Sequence, residues 1–235
     1  MNKTKSLFLP IVLTAFLLAG CKGAVITREE AISRAAEIEE HYESADFEAP
    51  TKFTATQHIK SAFFDVQADI TMVETLDLEG KYYYMSGEGT AGEESGSSKM
   101  WVYYQASENK TYMVIDENGT KGHQYVEGDL FLDSIDLDGT AIANLYSDIG
   151  LSDSLSSLVE EDERNVYRSS GEGSIYLKVF TGETDANAFS EIEIANYLIV
   201  RVYAYVDDST EMEMNIKYSG ISTSKPNLAN YPLVS

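Results

Sequence analysis

The tightest constraint on this chain is an alternation that runs from Phe64 to Leu78. Phe64, Val66, Ala68, Ile70, Met72, Leu76 and Leu78 hold the even positions, and Asp65, Gln67, Asp69, Thr71, Thr75, Asp77 and Glu79 lie between them. Only an extended strand returns every second side chain to one side. The segment therefore spells a strand with one apolar and one wet face, as in an antiparallel sheet covered on one side. Glu74 interrupts the apolar set, and the pattern predicts a bulge or a rim there.

The same period recurs. Phe53, Ala55 and Ile59 alternate with polar residues, and further strands are expected at 81–86, 99–106, 111–116, 121–126, 165–170, 174–181, 197–206 and 211–219. Asn118-Gly119 is a hairpin turn signal, and Asp207–Thr210 turns the last hairpin. In that hairpin Met212, Met214, Ile216 and Tyr218 face one way, and Glu211, Glu213, Asn215 and Lys217 the other. The polar, glycine-rich stretch Gly87–Ser98 reads as a mobile hairpin tip. The tail from Ser222 holds two prolines and no periodicity.

Three helices are expected. Thr27-Arg28-Glu29-Glu30 is a capping box opening a helix over 28–44, with Ala31, Ala35, Ile38 and Tyr42 at helical spacing. Ala141, Ile142, Leu145, Tyr146 and Ile149 share a face before Gly150, and Ser152 caps a short helix bearing Leu155, Leu158 and Val159. Helix, strands, helices, strands, joined mostly by short turns, make an α+β domain: a broad antiparallel sheet with helices against its apolar face.

Composition narrows the function. Lys+Arg 17 against Asp+Glu 39 gives a net charge of −22, which repels phosphate backbones and leaves no case for nucleic acid. One cysteine and three histidines exclude an intramolecular disulfide and nearly exclude a Cys/His zinc site, so no cofactor or metal is expected.

The N-terminus is an address. Lys3 and Lys5 precede an apolar run, Leu7 to Leu18, too short to span a bilayer, which needs roughly 20 apolar residues. The run ends in Leu18-Ala19-Gly20-Cys21, which resembles the lipobox of bacterial lipoproteins. That resemblance implies cleavage after residue 20, a diacylglyceryl group (and a further acyl chain such as palmitate) on Cys21, and a protein outside the cytoplasm. It would be anchored to the cell membrane, or to the outer membrane in a diderm host. Residues 1–20 are then signal peptide, 21–26 a lipidated tether and 27–235 one domain.

The lipobox, the capped first helix, the long first strand, the Trp101-Val102-Tyr103-Tyr104 meander, the helical insert and the closing hairpin Tyr197–Val206 with Glu211–Ser219 together resemble the LolA/LolB/LppX-like lipoprotein-carrier superfamily. The resemblance rests on element order and aromatic placement. It implies an open antiparallel half-barrel, with an N-terminal helix and a central helical insert covering its concave face, and acyl chains as cargo.

The apolar face offers Phe64, Val66, Ile70, Met72, Tyr84, Val102, Tyr104, Met212, Met214 and Ile216. These either line a pocket for a hydrophobic ligand, a role that adaptable methionines suit, or form a core filled by the helices. Alternation sets Tyr83 and Tyr103 against Tyr82, Tyr84 and Tyr104, placing some aromatics on the outer face as a surface for an envelope protein. His41, His58 and His123 have no nucleophile motif near them, and Asp133–Gly139 fails the EF-hand template at its last position. The expected function is noncatalytic hydrophobe binding or transport. The alternative is a protein-binding module of the envelope.

Overall fold

The structure, a computed structural model, describes residues 23–44, 47–48, 50–63, 66–135, 155–159, 161–181 and 187–234. The leader, Cys21, Phe64 and the insert expected at 141–150 lie outside these residues. In chain order the elements are β1 (Ala24–Val25), α1 (Arg28–Glu43), β2 (Lys52–Phe63), β3 (Val66–Asp77), β4 (Tyr82–Ala91), β5 (Glu94–Gln105), β6 (Lys110–Glu117) and β7 (Thr120–Glu127). After these come β8 (Val166–Gly171), β9 (Ser174–Phe180), β10 (Phe189–Ala195), β11 (Leu198–Asp207) and β12 (Thr210–Lys217).

All twelve strands form one antiparallel sheet in the order β1-β8-β9-β10-β11-β12-β2-β3-β4-β5-β6-β7. Two meanders, β2–β7 and β8–β12, are stitched together by the pairing of β12 with β2, where Met212 opposes Ile59 and Ile216 opposes Ala55. The two ends of the order do not pair with each other, so the sheet is open, which fits an open half-barrel.

One side of the sheet carries α1 and is here the helix face. Phe53, Leu76, Tyr83 and Val102 form a cross-strand row on it, all buried. Helix α1 begins at the expected capping box, with Thr27 accepting from Glu30 N at 3.2 Å and Glu30 accepting from Thr27 N at 2.9 Å. Ala31, Ala35 and Ile38, one helical stripe, are completely buried. Small residues let the helix lie close on β8 and β9. Phe131, Leu155 and Val159 complete this dry core.

Several expectations change. Residues 155–158 of the short helix expected after Ser152 are turns, closed by Leu158 N to Leu155 O and Val159 N to Ser156 O. Leu155 and Val159 still bury on the helix face. Glu74 marks no bulge: the ladder runs straight through it on both sides, and the buried carboxylate accepts from Tyr83 Oη at 3.0 Å. Gly87–Ser98 is not a loop but the outer half of β4 and β5, turning only at Gly92. Pairing with β3 outweighs the low strand propensity of glycine, and a side chain at Gly89 would strike Asp69 O at 2.4 Å. Strand β10 carries no clean alternation and escaped the sequence reading. Ala24 and Val25, read as tether, pair with Ser169 and Arg168.

Asn118 and Gly119 do form the hairpin expected of them, with φ of 50° and 84°, the left-handed pair of a type I′ turn.

Ile38→Ala empties a site with no solvent contact, so it should cost about 2–5 kcal/mol, whereas Thr27→Ala removes one cap bond and should cost about 1 kcal/mol. Urea unfolding with unchanged slope checks both. Equal losses would contradict this division of labour.

Candidate functional site

Cover on the helix face is uneven. Along β3, Leu76 is buried, Met72 and Ile70 are half-buried and Val66 is exposed. On β12 the order is the same: Ile216 and Met214 are buried and Met212 is half-buried. Met85 on β4 and Ile115 on β6 are 41% and 42% exposed. The end away from the core is therefore apolar and wet.

Two features shape that end. First, all six methionines after Met1 lie on this face. Met214 and Met72 flank Gln57 in one row, Met85 opposes Met100 in the next, Met212 opposes Ile59, and Met113 opposes Val102. Gln57 Nε2 donates to Met212 Sδ at 3.3 Å and Gln124 Nε2 to Met113 Sδ at 3.4 Å. Second, Gly87, Gly89 and Gly96 share the same face, so three positions beside Ile70 and Met72 carry no side chain. The glycines leave a trough of about 430 Å³ with Ile70 at its side and Glu88, Glu94, Glu117 and Asn118 at its rim. A smaller hollow of about 250 Å³ opens beside Met113 and Ile115 and is edged by Val234.

The opposite side is here the tail face. Over β9–β12 and β2 it is a ladder of charges. Arg201 bridges Glu191 (2.6 Å) and Glu213 (2.8 Å), and Lys60 reaches Glu211 (2.5 Å), which also accepts from Tyr203 Oη at 2.9 Å. Lys60 and Arg201 hold the Glu211 and Glu213 carboxyls below the usual range. Over β4–β7 the same face is aromatic. Tyr103 stacks on Tyr112 at 5.4 Å, Tyr84 meets Trp101 at 5.2 Å, and Trp101 meets Tyr231 edge-on at 5.9 Å.

The C-terminal tail straps this aromatic area. Tyr82 Oη donates to Ser224 O at 3.0 Å, Lys225 Nζ to Gln105 Oε1 at 2.9 Å, and His123 Nδ1 to Tyr231 O at 2.5 Å. Residues 232–234 then pair beside His123, covering the open edge of β7. Between strap and strands lies a cleft of about 550 Å³ walled by Tyr82, Tyr84, Trp101 and Tyr231, with Lys217 and Lys225 at its margin. Burial lowers the Lys225 ammonium below its ordinary range.

Of the sequence-predicted ligand residues, the ladder puts Val66, Ile70, Met72, Val102, Tyr104, Met212, Met214 and Ile216 together on the helix face. Val102, Met214 and Ile216 belong to the dry core; Val66, Ile70, Met72 and Met212 border the open end. Tyr84 is a correction, since its partners Thr75 and Trp101 place it on the tail face. The tyrosine grouping changes for the same reason. The hairpin pairs Tyr82 with Tyr103, so Tyr82, Tyr84 and Tyr103 share one face and Tyr83 and Tyr104 the other.

The trough glycines and Met85, Met100 and Met113 were missed, although Gly87 and Gly89 carry a period-two signal. The cleft was missed because the tail that closes it has no periodicity. His58 pairs with Asp69 at 2.8 Å, and His41 lies 4.1 Å from the Tyr197 ring. Among the described residues no three of His, Cys, Asp or Glu converge as metal ligands, and no helix is long and apolar enough to cross a membrane.

No family model matches the chain, and no curated protein matches it. Among solved structures it is similar to a DUF1329 family protein from Desulfovibrio piger, at 9% identity over 83% of this chain and 94% of that one, with a TM-score of 0.22. At that level the likeness carries no argument about fold or role.

Burial, with Tyr84 and Glu108 adding to it, pushes Tyr82 and Tyr103 up to about 12. A raised tyrosine pKa means that the folded state keeps its proton longer. The contribution is then full below about pH 10 and lost as pH rises through about 12. Absorbance at 295 nm should show a late-titrating set of tyrosines, with stability falling across the same window. Deleting residues 222–235 should move Tyr82 and Tyr103 within that set toward 10.

Proposed function

We propose that this chain is a noncatalytic envelope lipoprotein, held to the membrane through a lipidated Cys21, that binds or carries a lipid or acyl chain in the glycine trough of the helix face. The observation that carries the reading is the side-chain-free glycine floor beside Ile70, with partly exposed Met72 and Met85 next to it on the same face. Methionine adapts its shape to irregular apolar ligands, and contiguous exposed apolar surface marks a binding site more often than an accident. A sealed void of about 430 Å³ would cost about 10 kcal/mol at about 24 cal/mol per Å³, most of a domain's usual margin of about 5–15 kcal/mol. A trough open to water escapes that cost and leaves Ile70 and the methionines beside it to gain from a ligand, at about 0.8 kcal/mol per buried CH₂.

The sheet starts at Ala24, so a lipid on Cys21 would hold the β1–β8 edge within about 11 Å of the bilayer surface, at no more than about 3.6 Å per residue. The alternative, an envelope protein recognised by outer-face aromatics, has less support: Tyr82, Tyr103 and Tyr112 are buried beside the chain's own Tyr231.

Native mass spectrometry of residues 22–235, before and after organic extraction, tests the cargo. A co-purifying mass lost on extraction is expected. A bare chain, under conditions that preserve a control lipid complex, would contradict it. Gly87→Val places a β-branched side chain in the trough, where the nearest atoms, Ser98 Oγ and Met72 Cγ, lie 3.8 and 3.9 Å from the new Cβ. The variant should fold normally yet retain about fivefold less lipid. Full-length Cys21→Ala should leave the membrane fraction for the soluble one; unchanged fractionation would remove the anchor from this account.

A further inference from the structure

We infer that the cleft under the C-terminal strap is a second, separate binding site, and that it takes an acidic sugar: a pyranose ring bearing a carboxylate or phosphate. Three observations converge. The first is charge. The chain carries 39 acids among 235 residues, so a random set of residues the size of the cleft lining would hold between two and three, yet the lining holds no Asp or Glu and two lysines.

The second is what those lysines do. On this face Lys52, Lys60, Lys178 and Arg201 are each paired with a carboxylate, whereas Lys99 and Arg168 have no such pair among the described residues. Among the described residues Lys217 and Lys225 form no ion pair. Lys225 donates to neutral oxygens, Tyr104 O at 3.3 Å and Gln105 Oε1 at 2.9 Å, and lies over the Tyr103 ring at 4.9 Å. Asp77, on the same face, is buried and occupied by Lys52 at 2.5 Å and by Gly80 N at 2.8 Å, and Glu108 accepts from Tyr112 Oη. The cleft thus has at its margin two ammonium groups without a carboxylate partner, in a protein that is otherwise strongly anionic, and a bound anion would supply one.

The third is the floor. Tyr84 and Trp101 present half-exposed rings, closed at one end by Tyr231. An aromatic face is negative and attracts the weakly positive C–H edges of a sugar ring. Thr54, Thr75, Asn227 and Asn230 supply hydroxyl and amide groups at the margin for the sugar hydroxyls. About 550 Å³ lies within the range of small-molecule sites. A bare inorganic anion would leave the aromatic floor unused, and a neutral sugar would leave the lysines unused.

Trp101 is the chain's single tryptophan, so its fluorescence reports on this cleft alone and not on the trough across the sheet. The probes are D-glucuronate and glucose 6-phosphate, with D-glucose and inorganic phosphate as controls, added to residues 22–235 at constant ionic strength. A saturable change is expected with both acidic sugars, at least about tenfold tighter than with either control. Lys217→Met and Lys225→Met should each weaken it about tenfold. Lys217 is exposed and unpaired, so its variant should keep the parent melting temperature. No saturable change with either acidic sugar overturns the inference. Equal affinity for inorganic phosphate overturns it in favour of an adventitious ion only, and equal affinity for glucose overturns the role of the lysines. A failed lipid experiment on the helix face leaves this result untouched, and the reverse holds too.

Discussion

The ladder that runs through β2, β3, β4 and β5 without a shift in register is the constraint on which the rest of the molecule depends. Thr75 opposes Tyr84 and Tyr84 opposes Trp101; Leu76 opposes Tyr83 and Tyr83 opposes Val102. A slip of one residue would exchange the faces. It would carry Trp101 and Tyr103 into the helix-covered core, and Met100 and Val102 out to the tail face. Because the register holds, every methionine after Met1 falls on one face, while the Lys–Glu and Arg–Glu ladder falls on the other.

A sheet of this breadth has two faces to cover, and helix α1 covers only part of one. Ala31, Ala35 and Ile38 seal the β8–β9 end, and the inner parts of β2–β5 bury Phe53, Leu76 and Val102. Beyond them the helix face thins into methionine and glycine. The tail face solves its own problem differently. Where it is charged, its side chains neutralise each other and remain in water. Where it is aromatic, residues 222–234 lie across it and also blunt the β7 edge. The proposed lipid trough and the proposed sugar cleft are the two places where these coverings stop short.

The sequence made the strands legible wherever burial is one-sided, because period two then survives in the residues. The even positions of β3, the Met212–Tyr218 series and the Asn118-Gly119 turn all sit as their pattern says. Strand β10 was invisible because Phe189–Ala195 mixes half-buried residues on both faces. Gly87–Ser98 was misread because local propensity argued for a loop, and only pairing with β3, distant in sequence, makes it strand. The face of Tyr84 was unreadable without the parity of the β3–β4 and β4–β5 hairpins, which depends on the lengths of their turns. The cleft was unreadable because it is made by an aperiodic tail folding back across strands over a hundred residues earlier.

The central claim, that the open end of the helix face takes a hydrophobic ligand, is tested most directly by methyl NMR of the protein labelled at methionine and titrated with oleate. The six methionines after Met1 are built-in reporters along that face. The account expects Met72, Met85, Met100 and Met212 to shift saturably together, with buried Met214 moving least. Saturable oleate binding that leaves those four methyl signals in place, or no binding at all, would contradict it.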